Sequence, residues 1–212
     1  MKQISVKFCG FRTKDDVKTA VSHAVSAIGF ILVPDRKRTI SLLQLTSMIP
    51  LIPKQIEKVG VFQNPTLEEV NNAASLGLSM VQLHGQETPA FCQQIKKNKQ
   101  IPIIKVFSEK EIQKIPLYEG YIDVVLLDHS AGGTGTTIDW SCIPVAKQLT
   151  ERLQLPLWIA GGLNESNIEN LIRDYEIDGI DLSSGIETNG KKDTQKMNKI
   201  IERMKQHDKI EQ

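Results

Sequence analysis

Cysteine is scarce in this chain, with three among 212 residues, and aromatic residues make up only 5%. Cys9, Cys92 and Cys142 are odd in number and widely scattered, so they form neither a disulfide framework nor the paired spacing of a zinc site. An excess of charge is missing as well. A formal net charge of +1 argues against a dedicated nucleic-acid surface. No apolar run approaches transmembrane length. Met1 to Gly10 alternates like a strand and lacks the apolar core of a signal peptide. No Ser/Pro/Gly-rich linker breaks the chain. These absences lead to the expectation of a cytoplasmic protein from a reducing compartment, with no membrane and no nucleic-acid partner.

What is present is a regular succession of short apolar runs. Hydrophobic residues at 40% and charged residues at 24% suit a folded domain. Ile4, Val6 and Phe8 alternate with Ser5, Lys7 and Cys9, which predicts a strand ending at Gly10. Further strands are expected over 27–33, 58–62, 79–83, 102–107, 121–127, 156–160 and 179–182. Helix signals lie between them. Ser41 can cap a helix through Met48, Thr66 with Glu69 makes a capping box, and Thr88-Pro89 opens another helix. A short, weak helix is expected over Glu109 to Ile115, and one from Asn164 to Asp174. Eight strand-then-helix units favour parallel pairing and fit the arithmetic of a single-domain (β/α)8 barrel over residues 1–205. Residues 206–212 are expected to fray. An open doubly wound sheet is the alternative. It would call for Gly-x-Gly-x-x-Gly after the first strand, and Cys9-Gly10-Phe11-Arg12 does not supply it.

In a barrel the polar residues that stop each strand gather at one face. Here they are Cys9, Arg38, His84, Asp128, the Gly161-Gly162 turn and the Ser183-Ser184-Gly185 turn. The two turns follow neighbouring apolar runs and together suit an anion held by backbone amides. A thiol, a guanidinium, an imidazole, a carboxyl and an anion nest suit proton transfer on a phosphorylated small molecule. Lys7 shares a strand face with Cys9, Gln82 with His84, and Asp181 with Ser183 and Gly179. If those faces point inward, the upper barrel is polar. Each residue also has a plainer explanation. Cysteines often serve as small buried hydrophobes, as is expected of Cys92 and Cys142. Asp128 could cap a helix, His84 could bond a backbone group, and Arg36-Lys37-Arg38 could be a solvated charge run.

The segments Val6-Lys7-Phe8-Cys9-Gly10, Gly60-Val61-Phe62, Val81-Gln82-Leu83-His84-Gly85, Leu126-Leu127-Asp128, Gly132-Gly133-Thr134-Gly135, Ala160-Gly161-Gly162-Leu163-Asn164 and Asp181-Leu182-Ser183-Ser184-Gly185-Ile186-Glu187 resemble, in order, the phosphoribosylanthranilate isomerase family. The trailing Gly190-Lys191-Lys192-Asp193 looks like that family's usual close. The resemblance implies an Amadori rearrangement in tryptophan biosynthesis, converting N-(5-phosphoribosyl)anthranilate to 1-(2-carboxyphenylamino)-1-deoxyribulose 5-phosphate. It implies Asp128 as general acid and Cys9 as general base, with no metal or other cofactor. Arg38 is then expected to engage the anthranilate carboxylate, and Gly161, Gly162, Ser183, Ser184 and Gly185 to hold the phosphate. His84 is expected to orient or bind. No obligate protein partner is implied; a monomer or homodimer is expected.

The chain departs from the family pattern at Thr39, where a bulky apolar residue is frequent, at Thr136 and at Ile138. It is also short over His129 to Ala131. These departures bear on affinity and loop closure more than on reaction type. Two rivals remain at this stage. Another sugar-phosphate isomerase barrel would be expected to pair carboxylates or metal-binding histidines. A non-catalytic phosphate-binding barrel would have no need of both Cys9 and Asp128.

Overall fold

Each apolar run becomes a strand, and the strands pair in sequence order. The computed structural model describes residues 3–129 and 138–210, so the glycine-rich segment 130–137, with Thr136, lies outside the described residues. The strands are β1 (Ser5–Cys9), β2 (Ala27–Ile31), β3 (Glu57–Phe62), β4 (Met80–Leu83), β5 (Ile103–Phe107), β6 (Val124–Leu127), β7 (Leu157–Ile159) and β8 (Gly179–Leu182). All neighbouring pairs are parallel, and β8 pairs with β1 to close the barrel. The eightfold count from the sequence therefore holds.

Period-two alternation sorts the strand residues into two shells. Val6, Phe8, Ile28 and Leu83 face outward into the main core between strands and helices. Ala27, Val59, Ile104, Val106, Val124, Leu126 and Trp158 fill the barrel interior as a second cluster. Lys7, Cys9, Gln82 and Asp181 share the interior set's alternation, and all are buried. The polar faces noted in the sequence therefore point inward and meet above that apolar plug.

The connections are α1 (Lys14–Val21), α2 (Leu42–Met48), α3 (Leu67–Ser75), α4 (Pro89–Lys99), α5 (Ile143–Arg152), α6 (Ile168–Asp174) and α7 (Thr194–Ile210). Ser41, Thr66 and Thr88 cap three of them through their side chains, as the sequence predicts, and Thr13 caps α1 in the same way. Between β5 and β6 the crossover is a 3₁₀ stretch, Glu109–Tyr118. Pro116 inside it lacks the amide that a continuing α-helix would use.

Several boundaries differ from expectation, and one element is new. The sixth strand starts at Val124, not Tyr121. Helix α6 starts at Ile168, because Asn164 to Asn167 spend their polar groups on a local turn. Gly162 O accepts from both Asn164 Nδ2 and Asn167 Nδ2 at 3.0 Å, and Asn164 Oδ1 accepts from Ser166 N. Helix α7 runs on through Ile210, into the stretch where a frayed tail is expected. The fourth difference is an unforeseen hairpin, β9 (Glu187–Thr188) with β10 (Lys191–Lys192). Its turn is Asn189-Gly190, with φ of 52° and 73°, the left-handed pair a two-residue hairpin requires.

Candidate active site

At the C-terminal mouth of the strands lies a cavity of about 100 Å³. Cys9, Arg38, His84, Asp128, Gly161, Gly162, Ser183 and Ser184 all line it. A cleft of about 340 Å³ adjoins it and shares His84 and Asp128. Sites for small ligands commonly occupy about 300–1,000 Å³. Eight of the nine residues singled out in the sequence thus converge on one cavity. Gly185 does not line it and sits instead at the seam between two loops.

The register of β1 on β8 places Lys7 opposite Asp181. Lys7 Nζ donates to Asp181 Oδ2 at 2.7 Å, and the lysine is fully buried. A Cβ added to Gly29, the partner of Cys9 on β2, would lie 2.6 Å from Cys9 Sγ and 3.0 Å from Lys7 Nζ. The thiol and the ammonium therefore share one small space, kept open by the missing side chain. Burial opposes the charge on Lys7, but Asp181 and Cys9 outweigh it and hold the ammonium above the ordinary lysine value. Burial pushes the Cys9 thiol up; Lys7 pulls it back without cancelling the rise, to which Asp181 adds.

Asp128 follows the apolar β6 and is fixed from two sides. His129 N donates to Oδ1 at 2.7 Å, and His84 Nε2 lies 3.0 Å from Oδ2. His84 is itself held by its loop. Glu87 Oε2 accepts from Gly85 N at 3.0 Å and pairs with buried Lys105 at 3.1 Å, and Lys105 Nζ donates to Gly85 O at 2.9 Å. His84 is thus neither a free binding group nor a simple backbone partner: it bonds the carboxyl expected to act as the acid.

Gly161 and Gly162 both have positive φ, 85° and 60°, so the chain turns sharply after β7 with no side chain over its amides. Ser184 to Ile186 form a single 3₁₀ turn after β8. A Cβ on Gly185 would fall 1.8 Å from Leu163 O. Glycine there lets the two turns abut. Together they make one wall of the cavity.

Arg38 is buried, not part of a solvated charge run. It forms a two-pronged ion pair with Glu187, Nε to Oε1 at 2.8 Å and Nη2 to Oε2 at 2.7 Å. Its neighbour Thr39 uses its hydroxyl to bond Val33 O and to accept from Arg36 N. At this departure from the resembled pattern the chain pins the loop by hydrogen bonds. Ile138, another departure, is buried in the main core.

The sequence reading did not place Gln82, Asp181, Glu187 or Lys192 among the site residues. The alternation pattern already held Gln82 and Asp181. Among the described residues Gln82 Oε1, Asp181 Oδ1 and Ser183 Oγ are buried on the cavity wall with no hydrogen-bond partner. Such groups are costly unless a ligand satisfies them. No helix among the described residues is long and apolar enough to cross a membrane.

Residues 6–203 match the family model described as N-(5'phosphoribosyl)anthranilate (PRA) isomerase. An N-(5'-phosphoribosyl)anthranilate isomerase of Staphylococcus aureus is 37% identical over an alignment of 206 positions that covers 93% of this chain and 95% of that protein. The crystal structure of phosphoribosyl anthranilate isomerase from Thermotoga maritima superposes with a TM-score of 0.84 at 30% identity, covering 96% of this chain and 99% of that one. A phosphoribosyl anthranilate isomerase in complex with reduced 1-(o-carboxyphenylamino)-1-deoxyribulose 5-phosphate superposes with a TM-score of 0.81 at 31% identity, with the same coverage.

Proposed function

This chain belongs to the N-(5'-phosphoribosyl)anthranilate isomerase family, and on that premise we propose that its Cys9 and Asp128 carry out the family's Amadori rearrangement in tryptophan biosynthesis. The observation that carries the assignment is that both line one cavity, which the two glycine- and serine-bearing turns also line. Asp128, protonated, gives its proton to the furanose ring oxygen as the bond from that oxygen to C1 breaks. The nitrogen lone pair forms the Schiff base. The Cys9 thiolate then takes the proton from C2, and the released electron pair closes the C1–C2 double bond and neutralises the iminium. The resulting enolamine tautomerises to the ketone. Atoms and electrons balance without an outside oxidant or reductant.

Each supporting group has a defined task. His84 and the His129 amide fix the plane of the Asp128 carboxyl so that its proton meets the ring oxygen. Lys7, anchored on Asp181, puts a positive charge beside the sulfur that must become an anion. The turns at Gly161-Gly162 and Ser183-Ser184 receive the phosphate, with Gly185 letting them close on each other, and so hold the pentose between acid and base. Sugar hydroxyls would satisfy Gln82 Oε1, Asp181 Oδ1 and Ser183 Oγ. Arg38 receives the anthranilate carboxylate.

Purified protein should convert freshly generated phosphoribosylanthranilate with loss of anthranilate fluorescence. Cys9→Ala and Asp128→Asn should each lower kcat by about 10²–10⁴ while the reduced product analogue still binds. A rise in KM with kcat intact would assign these residues to binding instead, and folded protein without turnover would remove the proposal.

A further inference from the structure

Arg38 is the residue proposed to read the aryl carboxylate, and it does not stand alone. Its stem lies flat on Gly10, whose φ is +84°; a Cβ there would be 2.6 Å from Arg38 Cδ. Glu187 takes the guanidinium edge formed by Nε and Nη2. Nη1 takes no part in that pair, so the edge formed by Nη1 and the second hydrogen of Nη2 is left over.

Glu187 in turn is held by Lys192, its partner across the β9–β10 hairpin. Lys192 Nζ donates to Glu187 Oε1 at 2.9 Å, to Cys9 O at 2.5 Å and to Ser183 O at 3.1 Å. One ammonium thereby ties the hairpin to the ends of β1 and β8. Arg12 Nη2 fastens the hairpin turn through Gly190 O at 2.7 Å, and Lys196 Nζ fastens its base through Glu187 O at 2.7 Å. All of this surrounds a side chain that would otherwise swing about four single bonds.

We propose that Glu187 and Lys192 are positioning residues for substrate selection: the β9–β10 hairpin holds Arg38 so that its unused edge meets the aryl carboxylate in two-point contact. The inference rests on the reading of Arg38 as the carboxylate's partner. An arginine fixed before binding has less freedom to lose when the ligand arrives. The charges separate this from a purely electrostatic role. Arg38, Glu187 and Lys192 together carry +1, and neutralising Glu187 would leave +2. A site acting by charge alone would then hold a carboxylate more tightly. A positioning role requires the reverse.

The test compares binding of reduced 1-(o-carboxyphenylamino)-1-deoxyribulose 5-phosphate with its phenylamino counterpart, which lacks the carboxylate. Both are titrated against the same samples of wild type, Glu187→Gln, Lys192→Met, Arg38→Ala and the Arg38→Ala/Glu187→Gln double variant. Glu187→Gln and Lys192→Met should weaken the carboxylated ligand about three- to tenfold and the counterpart less than about twofold. In the Arg38→Ala background, Glu187→Gln should add nothing. Equal losses for both ligands, unchanged binding, tighter binding of the carboxylated ligand or additive losses would each overturn the proposal. If Arg38→Ala itself fails to discriminate the two ligands, the reading of Arg38 fails first, and visibly so. Glu187→Asp keeps the charge but retracts it by one methylene, so it should lose the carboxylated ligand selectively. It serves if Glu187→Gln does not fold, and a ratio of two ligands on one sample is insensitive to a missing folded fraction.

Discussion

At the scale of single residues, the proposed role of Cys9 as base predicts how activity responds to pH. Burial raises its pKa above the ordinary thiol value despite the neighbouring Lys7, so the free protein keeps it mainly as the thiol near neutrality. The thiolate grows as pH rises. We therefore expect kcat/KM to climb through the ordinary thiol range and level off only above it. Alkylation of Cys9, followed site by site by mass spectrometry, should climb in parallel and be slowed by the reduced product analogue. Cys92 and half-buried Cys142 are both pushed up to about 11, chiefly by burial. A plateau below the ordinary thiol range would mean that Lys7 outweighs burial. The same shift has a sign for stability. The unfolded chain gives up this proton first, so the folded state loses stability as pH rises past the ordinary thiol value. Cys9 and Asp128 were legible in the sequence because each ends an apolar strand and falls in a family motif. The pairing of His84 with Asp128, and of Arg38 with Glu187, was not. Those contacts join residues 44 and 149 positions apart, and no local pattern reports them.

At the scale of elements, the cavity depends on how closely loops approach. The turn after β8 touches the turn after β7 at Gly185, where any side chain would collide with Leu163 O. Gly185→Ala should force the two turns proposed to hold the phosphate apart, at a cost of about 1–3 kcal/mol. KM should rise and thermal stability fall, with kcat much less affected. Unchanged KM and melting temperature would show that the seam is soft and the nest assembled otherwise. Strand positions and three helix caps were readable because alternation and capping signals are short-range. The start of α6 was misread because apolar spacing favours a helix there, while Asn164 and Asn167 close a side-chain turn instead. The β9–β10 hairpin was overlooked although Asn189-Gly190 is a strong hairpin dipeptide. Its two-residue strands are too short to show alternation.

At the scale of the molecule, closure of the sheet brings the ends of the barrel's first and last strands, β1 and β8, together. Lys7 meets Asp181 across 174 positions, and Lys192 bonds the carbonyl of Cys9. The barrel was foreseeable from counting eight units, but the count says nothing about which polar faces turn inward. That is set by packing, with Trp158, Leu126 and Ile104 filling the lower interior and leaving the upper layer to charged and hydroxyl groups. The proposed chemistry sets a pentose across this layer, acid on one side and base on the other. A structure of the protein with the reduced product analogue tests that placement most directly. It should show the phosphate on the turns at Gly161-Gly162 and Ser183-Ser184, Asp128 beside the oxygen that closes the furanose ring, and Cys9 Sγ nearest to C2. A phosphate bound elsewhere, or a C2 atom beyond the reach of Cys9, would contradict it.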